Sequence, residues 1–435
     1  MEFVLKQLPK SEAEIEVTLP FLEFDPHVRR AAFLISEEHE IEGFRKGKAP
    51  YDTVKKFFGE NAIYERAADL AVRKLYPKIF EELMSTKQLS SENPPIGRPE
   101  ITVTKLAPQN EFQFKIKLAL LPEIAISDYA AIAARIAKEK KDVSVSDEEV
   151  EKTFLWLRES RAILTKVDRS ATQKDSVEID FELRHGGVKI EGGESRSHPL
   201  VIGEGKFMPG FEDELVGMSK GEEKTFSVEV PRDWHDQTFA GKALEAKVVM
   251  RLIQERVLPE AGDEFAKSLG TFASIDALKV SIREGLTKEK QDKEKQRVRI
   301  RIIEEIANAA KVEIPDVLIE TELDKMAGEL KSSIEDMGMK WDEYLLHIKK
   351  TVDELRREWR EEGEKRVRIA LCLRQIAKAE HIEPSEEEIK ERGDKFLSQF
   401  RGTQQAEKEI DPAHLHEYAR GILRNEKVFE FLESR

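Results

Sequence analysis

The chain has 435 residues, and a guide of roughly 150 residues per domain predicts about three domains. Its 72 Lys and Arg against 86 Asp and Glu give a formal net charge of −14, which excludes a protein that coats nucleic acid with its whole surface. No apolar run approaches the ~20 residues of a membrane-spanning helix and the N-terminus lacks a secretion signal, so we expect a cytoplasmic protein without membrane contact.

Residues 1–115 are predicted to form an α+β domain. Apolar residues alternate with polar ones over residues 13–19 and again over 112–120, and this period of two indicates half-buried strands. The Ser- and Pro-rich stretch at 90–99 is typical of a turn region. Helical spacing fills the sequence between the two strands.

Proline and glycine residues mark the ends of the helices in this first domain. Asp25 and Pro26 form a cap and first-turn pair, so we expect the first helix to begin there and to end near Gly43. A second helix opens at Pro50 and breaks at Gly59, after which helical spacing resumes. The residues between Gly43 and Pro50 are therefore predicted to be a loop that joins two helices.

That loop, "GFRKGKAP" at 43–50, concentrates positive charge in an acidic chain. From Arg45 to Lys56 there are five cations and a single anion, Asp52, so the segment has a local excess of four positive charges. Its two glycines permit sharp turns, and an exposed Phe44 beside Arg45 can fill a pocket while the guanidinium binds phosphate or carboxylate. On composition alone, an ordinary helix connection with solvated lysines is the alternative interpretation.

The same eight residues resemble the signature loop of the bacterial trigger factors, which are ribosome-associated chaperones. The resemblance implies that Phe44, Arg45 and Lys46 make the contact beside the exit of the nascent chain, while the glycines and the proline shape the loop. The ribosome-binding residues expected from it are Gly43, Phe44, Arg45, Lys46, Gly47, Lys48 and Pro50.

A linker and a β domain are predicted next. The linker covers residues 116–149, and near its end Ser146 and Glu149 have the spacing of a capping box that starts a helix with apolar residues as far as Leu164. Across 150–255 several short segments alternate with a period of two, so we expect a mainly antiparallel β domain.

Within that domain, the stretch from Ile202 to Trp234 resembles the FKBP family of peptidyl-prolyl isomerases, and trigger factors have such a domain in the same chain position. The resemblance implies a shallow aromatic pocket with Phe211 as its floor and the Met208 backbone N–H directed at the substrate. The catalytic pocket residues expected from it are Phe181, Leu200, Phe207, Met208, Phe211 and Trp234.

The expected chemistry requires no nucleophile, because an apolar, water-poor pocket favours the twisted amide over the planar one. Leu183, Ile190 and Ala246 stand where relatives commonly have Gly, Phe and another aromatic residue, so the expected isomerase activity is weak to moderate. Without the motif, Phe and Met at strand positions are more typical of a core than of an active site, and this alternative stays open.

Residues 256–435 are predicted to be almost wholly helical. Residues 274–311 form one long helix with a polar centre, and Pro315 and Pro384 each precede the start of another helix. In trigger factors this region is the body and two arms of a cradle for unfolded chains. Apolar residues here either line that cradle or form interhelical core, and the sequence leaves both open for Met326, Met337, Met339, Trp341 and Leu345.

Other chemistry is mostly absent from the sequence. The single Cys372 lies in an apolar helical stretch and is predicted to be buried and inert. His414 and His416 lack further ligands at metal-binding spacing, and "GEGK" at 203–206 lacks the spacing of a phosphate-binding loop. We therefore expect no metal and no cofactor.

Two functions compete at this point. The resemblance implies an ATP-independent chaperone that docks at the exit site of the large ribosomal subunit, next to its protein and RNA, shields nascent and unfolded polypeptides, and has an accessory isomerase activity. It also implies a homodimer as a state of the protein away from the ribosome. The alternative is a free cytosolic FKBP-type prolyl isomerase whose helices recruit substrate.

Overall fold

The chain divides into two structural units. One is formed by Met1–Lys140 together with Lys295–Arg435, and the other by Lys141–Glu294. The computed structural model describes residues 1–90, 92–126, 128–231, 240–399 and 411–435.

A four-stranded antiparallel sheet opens the first unit. Its strands follow the order β1-β2-β4-β3. Their bounds are β1 (Glu2–Leu8), β2 (Glu12–Leu19), β3 (Pro95–Lys105) and β4 (Phe112–Leu120). The predicted strands at 13–19 and 112–120 are confirmed as β2 and β4. The turn predicted at 90–99 is wrong from Pro95 onward, because β4 has a free side there and β3 pairs with it.

The alternation in β2 and β4 decides which face of the sheet is buried. Ile15 pairs with Ile116, and Val17 pairs with Phe114, so four apolar side chains project to the same face and are fully buried. The other face is charged. There Lys115 lies between two glutamates of β2 and makes ion pairs with both.

Three helices cover the apolar face: α1 (Phe21–Glu38), α2 (Tyr51–Phe58) and α3 (Glu60–Ser85). The second and third begin where the sequence predicts. The predicted start of α1 is wrong, because the helix begins at Phe21 and contains Pro26 in its interior. Burial of Phe24, which stacks on Phe112 with ring centroids 4.8 Å apart, outweighs the one backbone hydrogen bond that the proline removes. The helix ends at Glu38, five residues before Gly43.

Helices make up the rest of the first unit. They are α4 (Tyr129–Ala137), α7 (Ile275–Ala309, in this unit from Lys295), α8 (Asp316–Asp336), α9 (Trp341–Ile348), α10 (Val352–Ala379), α11 (Glu386–Gln399) and α12 (Pro412–Glu433). The long helix predicted at 274–311 is confirmed as α7. Pro315 directly precedes α8 and Pro384 lies shortly before α11, as predicted.

The helical core of the first unit includes part of the predicted linker. Ala133 and Ile136 of α4 are buried in the same cluster as Ile302 of α7 and Ile376 of α10. The predicted linker at 116–149 therefore contains the end of β4, all of α4 and the beginning of α5. Cys372 is fully buried in this core, as predicted, and burial raises the pKa of its thiol to about 11.

The second unit combines two helices and the first part of α7 with an antiparallel sheet. Its bounds are α5 (Asp147–Glu159), β5 (Ile163–Lys166), β6 (Ser176–His185), β7 (Val188–Val201), β8 (Glu223–Glu229), β9 (Ala243–Val257) and α6 (Asp263–Leu269). The sheet runs β5-β9-β6-β7, and β8 also pairs with β9. Residues 256–294, predicted as part of the helical domain, belong to this unit.

The predicted capping box is present at the start of α5. The Ser146 hydroxyl accepts the backbone N–H of Glu149 at 3.2 Å, and the Glu149 carboxylate accepts the N–H of Ser146 at 3.0 Å. The predicted extension of this helix to Leu164 is wrong. The helix ends at Glu159, and Leu164 lies in β5, where it pairs with Arg256 of β9 and is exposed.

No helix in the described ranges is long and apolar enough to pass through a bilayer.

Candidate functional site

The loop between α1 and α2 has a defined backbone. Ile41 is buried and forms an antiparallel bridge with Phe44, whose N–H donates to the Ile41 carbonyl at 3.0 Å. The N–H of Gly47 donates to the carbonyl of Ser36 in α1 at 2.8 Å. These bonds anchor the loop to the end of α1.

Gly47 is required by the close approach of the loop to α1. Its φ is +76°, and a Cβ at this position would lie 2.9 Å from Cγ of Glu37 and 3.6 Å from the ring of Phe33. A larger residue would therefore suffer both backbone strain and a collision.

The tip of the loop presents an aromatic ring among exposed cations. Phe44 is 43% exposed, so it does not belong to the core of its own domain. Arg45, Lys46 and Lys48 are exposed as well, and none of the three makes an ion pair with a residue that the structure describes. Lys55, by contrast, pairs with Glu60, which raises the pKa of the lysine. The loop cations thus remain available to an external anion.

Two further aromatic residues near this loop were missed by the sequence interpretation. Phe57 of α2 is 55% exposed, although helical spacing treats it as an apolar core position beside Phe58. Phe33 of α1 is partly exposed, and the Arg30 guanidinium lies 4.8 Å from the centre of its ring. The periodicity of an eight-residue helix is too short to decide which of two adjacent phenylalanines faces the core.

A second candidate site is an aromatic cluster in the sheet of the second unit. The rings of Phe207 and Phe211 are 4.3 Å apart, and Phe181 lies 5.2 Å from Phe207 and 6.2 Å from Phe211. Phe211 is fully buried, whereas Phe181 and Phe207 are half-buried. The sequence-predicted pocket residues Phe181, Phe207 and Phe211 therefore come together, with Phe211 at the bottom.

The other predicted pocket residues are placed as follows. Met208 is buried and Leu200 is half-buried against the same core. Within the part of the chain that the structure describes, the Met208 backbone N–H has no hydrogen-bond acceptor. Trp234 lies outside the described residues.

Sequence reasoning missed two rings of this cluster. His198 of β7 lies 5.4 Å from Phe181 and 5.5 Å from Phe207, and Phe226 of β8 lies 5.2 Å from Phe211. Phe226 shares the alternation of Val228 in its strand, which is a signal that could have identified it. A polar residue such as His198 carries no comparable signal.

A buried carboxylate holds the segment that precedes Phe207. Glu212 is only 6% exposed and accepts the backbone N–H groups of Gly203 at 2.8 Å, Gly205 at 2.9 Å and Phe207 at 3.0 Å. Burial alone would raise the pKa of Glu212, but these three hydrogen bonds outweigh it and lower the pKa. The carboxylate is adjacent in sequence to Phe211, so it connects the floor of the cluster to its wall.

Three residues that differ from those common in the FKBP family limit the size of this pocket. Leu183 and Ala246 pair with each other in the sheet and are both buried, and Ile190 packs half-buried against the same core. Small or aliphatic side chains thus occupy positions that a wider aromatic wall would need.

For one apolar residue of the helical region, the structure decides between lining a cradle and forming the interhelical core. Met326 is buried in the helical core, so it is an interhelical residue. Met337 and Met339 at the end of α8 are exposed, and the next residues place Trp341 and Tyr344 in a stacked pair with centroids 5.8 Å apart. Leu345 is half-buried.

The histidines considered as metal ligands have carboxylate neighbours. His416 Nε2 lies 2.8 Å from Glu386, and His414 Nδ1 lies 3.4 Å from Asp411. Over the described ranges, no group of three or more His, Cys, Asp or Glu side chains is arranged to hold a metal ion.

Family models match three successive parts of the chain. Residues 1–155 match "Bacterial trigger factor protein (TF)", residues 167–251 match "FKBP-type peptidyl-prolyl cis-trans isomerase", and residues 274–433 match "Bacterial trigger factor protein (TF) C-terminus".

Individual relatives agree with these matches. A trigger factor of Caldicellulosiruptor saccharolyticus is 33% identical over 401 residues, which is 92% of this chain and 89% of the relative. A trigger factor of Anoxybacillus flavithermus is 36% identical over 352 residues, or 80% and 79% of the two chains. A solved structure described as "Promiscuous Substrate Recognition in Folding and Assembly Activities of the Trigger Factor Chaperone" has the same fold, with a TM-score of 0.51, 23% identity and full coverage of both chains.

Proposed function

This chain belongs to the bacterial trigger factor family, and we propose that it is an ATP-independent chaperone that docks on the ribosome and shields polypeptides as they emerge. The docking element is the loop at 43–50, with Phe44, Arg45 and Lys46 as the contact residues. The glycines and Pro50 set the shape of the loop.

The observation that carries this proposal is the exposure of Phe44 next to cations that make no ion pair within the described part of the chain. An apolar ring of this size at the tip of a rigid loop gains free energy when a partner surface covers it. Arg45 and Lys46 have no competing carboxylate among the described residues, so binding to a phosphate does not first require an internal ion pair to break. A partner composed of RNA and protein offers both phosphates and apolar recesses.

The overall charge of the chain explains why the contact is confined to one place. A net charge of −14 repels the phosphates of RNA over most of the surface. The cations of the loop form a local exception, which fixes the orientation in which the chain can approach.

The FKBP-type domain supports a second, accessory activity as a peptidyl-prolyl isomerase. The half-buried rings of Phe181 and Phe207 above the buried Phe211 form a shallow apolar surface for a proline ring. Such a surface favours the twisted, less polar amide. The N–H of Met208, which has no acceptor among the described residues, is a donor for a substrate carbonyl. The buried Leu183 and Ala246 make the pocket thin, so the expected rate acceleration is modest.

Ribosome docking is tested by replacing Phe44, Arg45 and Lys46 with alanine and measuring co-sedimentation with ribosomes. We expect co-sedimentation of the triple variant to be largely lost. A matched control replaces Leu164, Arg161 and Lys166 with alanine, which removes an exposed apolar side chain and two exposed cations from the second unit. Equal co-sedimentation of the two variants would contradict the docking proposal.

A further inference from the structure

The strand β3 has one free edge. It lies at the end of the sheet order and pairs with β4 alone, through residues 100–103 and 105 after a register shift. In the part of the chain that the structure describes, no group hydrogen-bonds to the outward main-chain N–H and C=O groups of residues 100–104. These five residues are called the β3 free edge below.

The β3 free edge also includes apolar side chains at the border of the hydrophobic core that are only partly covered. Ile101 pairs with Ile116, and Val103 pairs with Phe114, so these side chains share the apolar face of the sheet. Ile116 and Phe114 are fully buried, whereas Ile101 is 42% exposed and Val103 is 46% exposed. The apolar layer therefore continues past the area that α1 and α3 cover.

The usual protection of an edge strand is present in β3 only on either side of residues 101–104, at Pro99, Glu100 and Lys105. Exposed edge strands commonly carry charges or prolines that prevent pairing with other chains. Between Glu100 and Lys105 this strand has four consecutive uncharged residues, and all four are β-branched, which favours the extended conformation. The opposite edge, β1, has a charge at Lys6 in the middle of its length.

We propose that the β3 free edge binds an extended segment of an unfolded polypeptide, which adds to the sheet as a further strand. The proposal rests on the chaperone function proposed above and names the conformation in which a client is held at this site. Recognition is through main-chain hydrogen bonds, which every sequence can form. Apolar side chains at alternate positions of the client would lie beside Ile101 and Val103 and extend the core.

The size of the edge favours a transient client over a second copy of the chain. Proline at position 99 has no N–H to donate, so the pairing segment is limited to five residues, or about 17 Å of strand. A strand pair of this length buries far less than the ~1,200 Å² that a stable protein interface needs. Such a site is suited to reversible capture.

A peptide titration tests this proposal directly. The probe is a nine-residue peptide that alternates valine and threonine between terminal lysines, and the comparison peptide has the same side chains but is N-methylated at its five central residues. Binding is followed by an environment-sensitive dye on Thr104→Cys, since the native Cys372 is fully buried. We expect the N-methylated peptide to bind about tenfold more weakly, because it cannot donate main-chain hydrogen bonds. Equal affinity of the two peptides would overturn the proposal.

Substitutions in the first sheet provide a second test of the proposal. Val103→Lys places a charge on the apolar side of the edge, and we expect it to weaken binding of the unmodified peptide about tenfold. The matched control is Val4→Lys in β1, where a valine that is 57% exposed lies on the charged face of the same sheet and peptide binding should not change. Val103→Thr keeps the β-branched shape, so it gives a smaller loss in the same direction if the lysine variant does not fold. Unchanged affinity in both Val103 variants would contradict the proposal.

Two measurements distinguish client binding at the β3 free edge from ribosome docking by the loop and from pairing with a second copy of the chain. Ribosome co-sedimentation of Val103→Lys should equal that of the parent chain, so failure of the edge proposal and failure of loop docking are distinguishable. If the dye on Thr104→Cys instead responds to protein concentration without peptide, the edge pairs with a second copy, and the client proposal is wrong.

Discussion

The carboxylate of Glu212 accepts the backbone N–H of Phe207 at 3.0 Å, five residues earlier in the chain. Because Glu212 is buried and also binds the N–H groups of Gly203 and Gly205, it fixes the path of the segment that positions the Phe207 ring. The position of the Phe207 ring thus depends on a buried charged group.

Replacing Glu212 with glutamine should reduce kcat/KM for a Phe-Pro test peptide by about tenfold. Glutamine keeps one acceptor oxygen, but its amide nitrogen is a donor and cannot accept the N–H groups bound by the carboxylate oxygen that it replaces, either those of Gly203 and Gly205 or that of Phe207. Each buried donor left unpaired costs about 1–3 kcal/mol. The measurement is the isomerase rate alongside the unfolding free energy. The control is Asp213→Asn, which removes the neighbouring charge at an exposed position. An unchanged kcat/KM in the Glu212 variant would show that the segment holds its shape without the carboxylate.

Gly47→Ala should weaken ribosome co-sedimentation more than Gly43→Ala. Both glycines have positive φ, +76° and +86°, so both substitutions carry a backbone strain of about 1–2 kcal/mol. Only at Gly47 does the new Cβ meet another group, Cγ of Glu37 at 2.9 Å, whereas nothing lies within 4 Å at Gly43. Equal effects of the two substitutions would mean that the contact of the loop with α1 does not matter for docking.

The ion pairs of Glu16 with Lys6 and Lys115, on the charged face of the first sheet, predict a low pKa for the Glu16 carboxylate. Hydrogen bonds from Lys6 and then Lys115 lower the pKa of Glu16 to about 2. Its ionised form therefore contributes to stability above the ordinary glutamate pKa, and this contribution is lost as the pH falls toward about 2. NMR titration of Lys6→Met should show the pKa of Glu16 shifted upward toward its ordinary value. A titration midpoint that does not move would mean that Lys6 is not its main partner.

Cys372 should resist thiol reagents until the first unit unfolds. Its side chain is fully buried and burial raises its pKa to about 11, so at neutral pH the thiol is both inaccessible and protonated. Labelling followed across a urea titration should coincide with the loss of helical signal. Rapid labelling of the native chain would contradict the burial and would also rule out the dye experiment on Thr104→Cys.

Much of the site was accessible from sequence because its signals are local. The loop at 43–50 was found from a run of glycines and cations, and the apolar alternation of β2 and β4 gave both their location and their buried face. The FKBP-type motif placed Phe207 and Phe211 together. Each of these features depends on residues that are close in the chain.

The features that were missed depend on contacts between distant residues. The start of α1 could not be placed, because the stacking of Phe24 on Phe112 decides it and these residues are almost ninety positions apart. The exposure of Phe57 follows from which side of α2 meets the sheet, and the burial of Glu212 follows from a loop that folds back over it. Local periodicity contains none of this information.

The division of the chain has a consequence for its own synthesis. Lys141–Glu294 is complete as a unit before the ribosome has made the second part of the unit that begins at Met1. At about 5–20 residues per second, the ribosome takes roughly eight to thirty seconds to make the inserted segment. Ala133 and Ile136 of α4 wait at least that long for Ile302 and Ile376, their partners in the helical core. During that interval a protein that shields other nascent polypeptides is itself incompletely folded and needs the same protection.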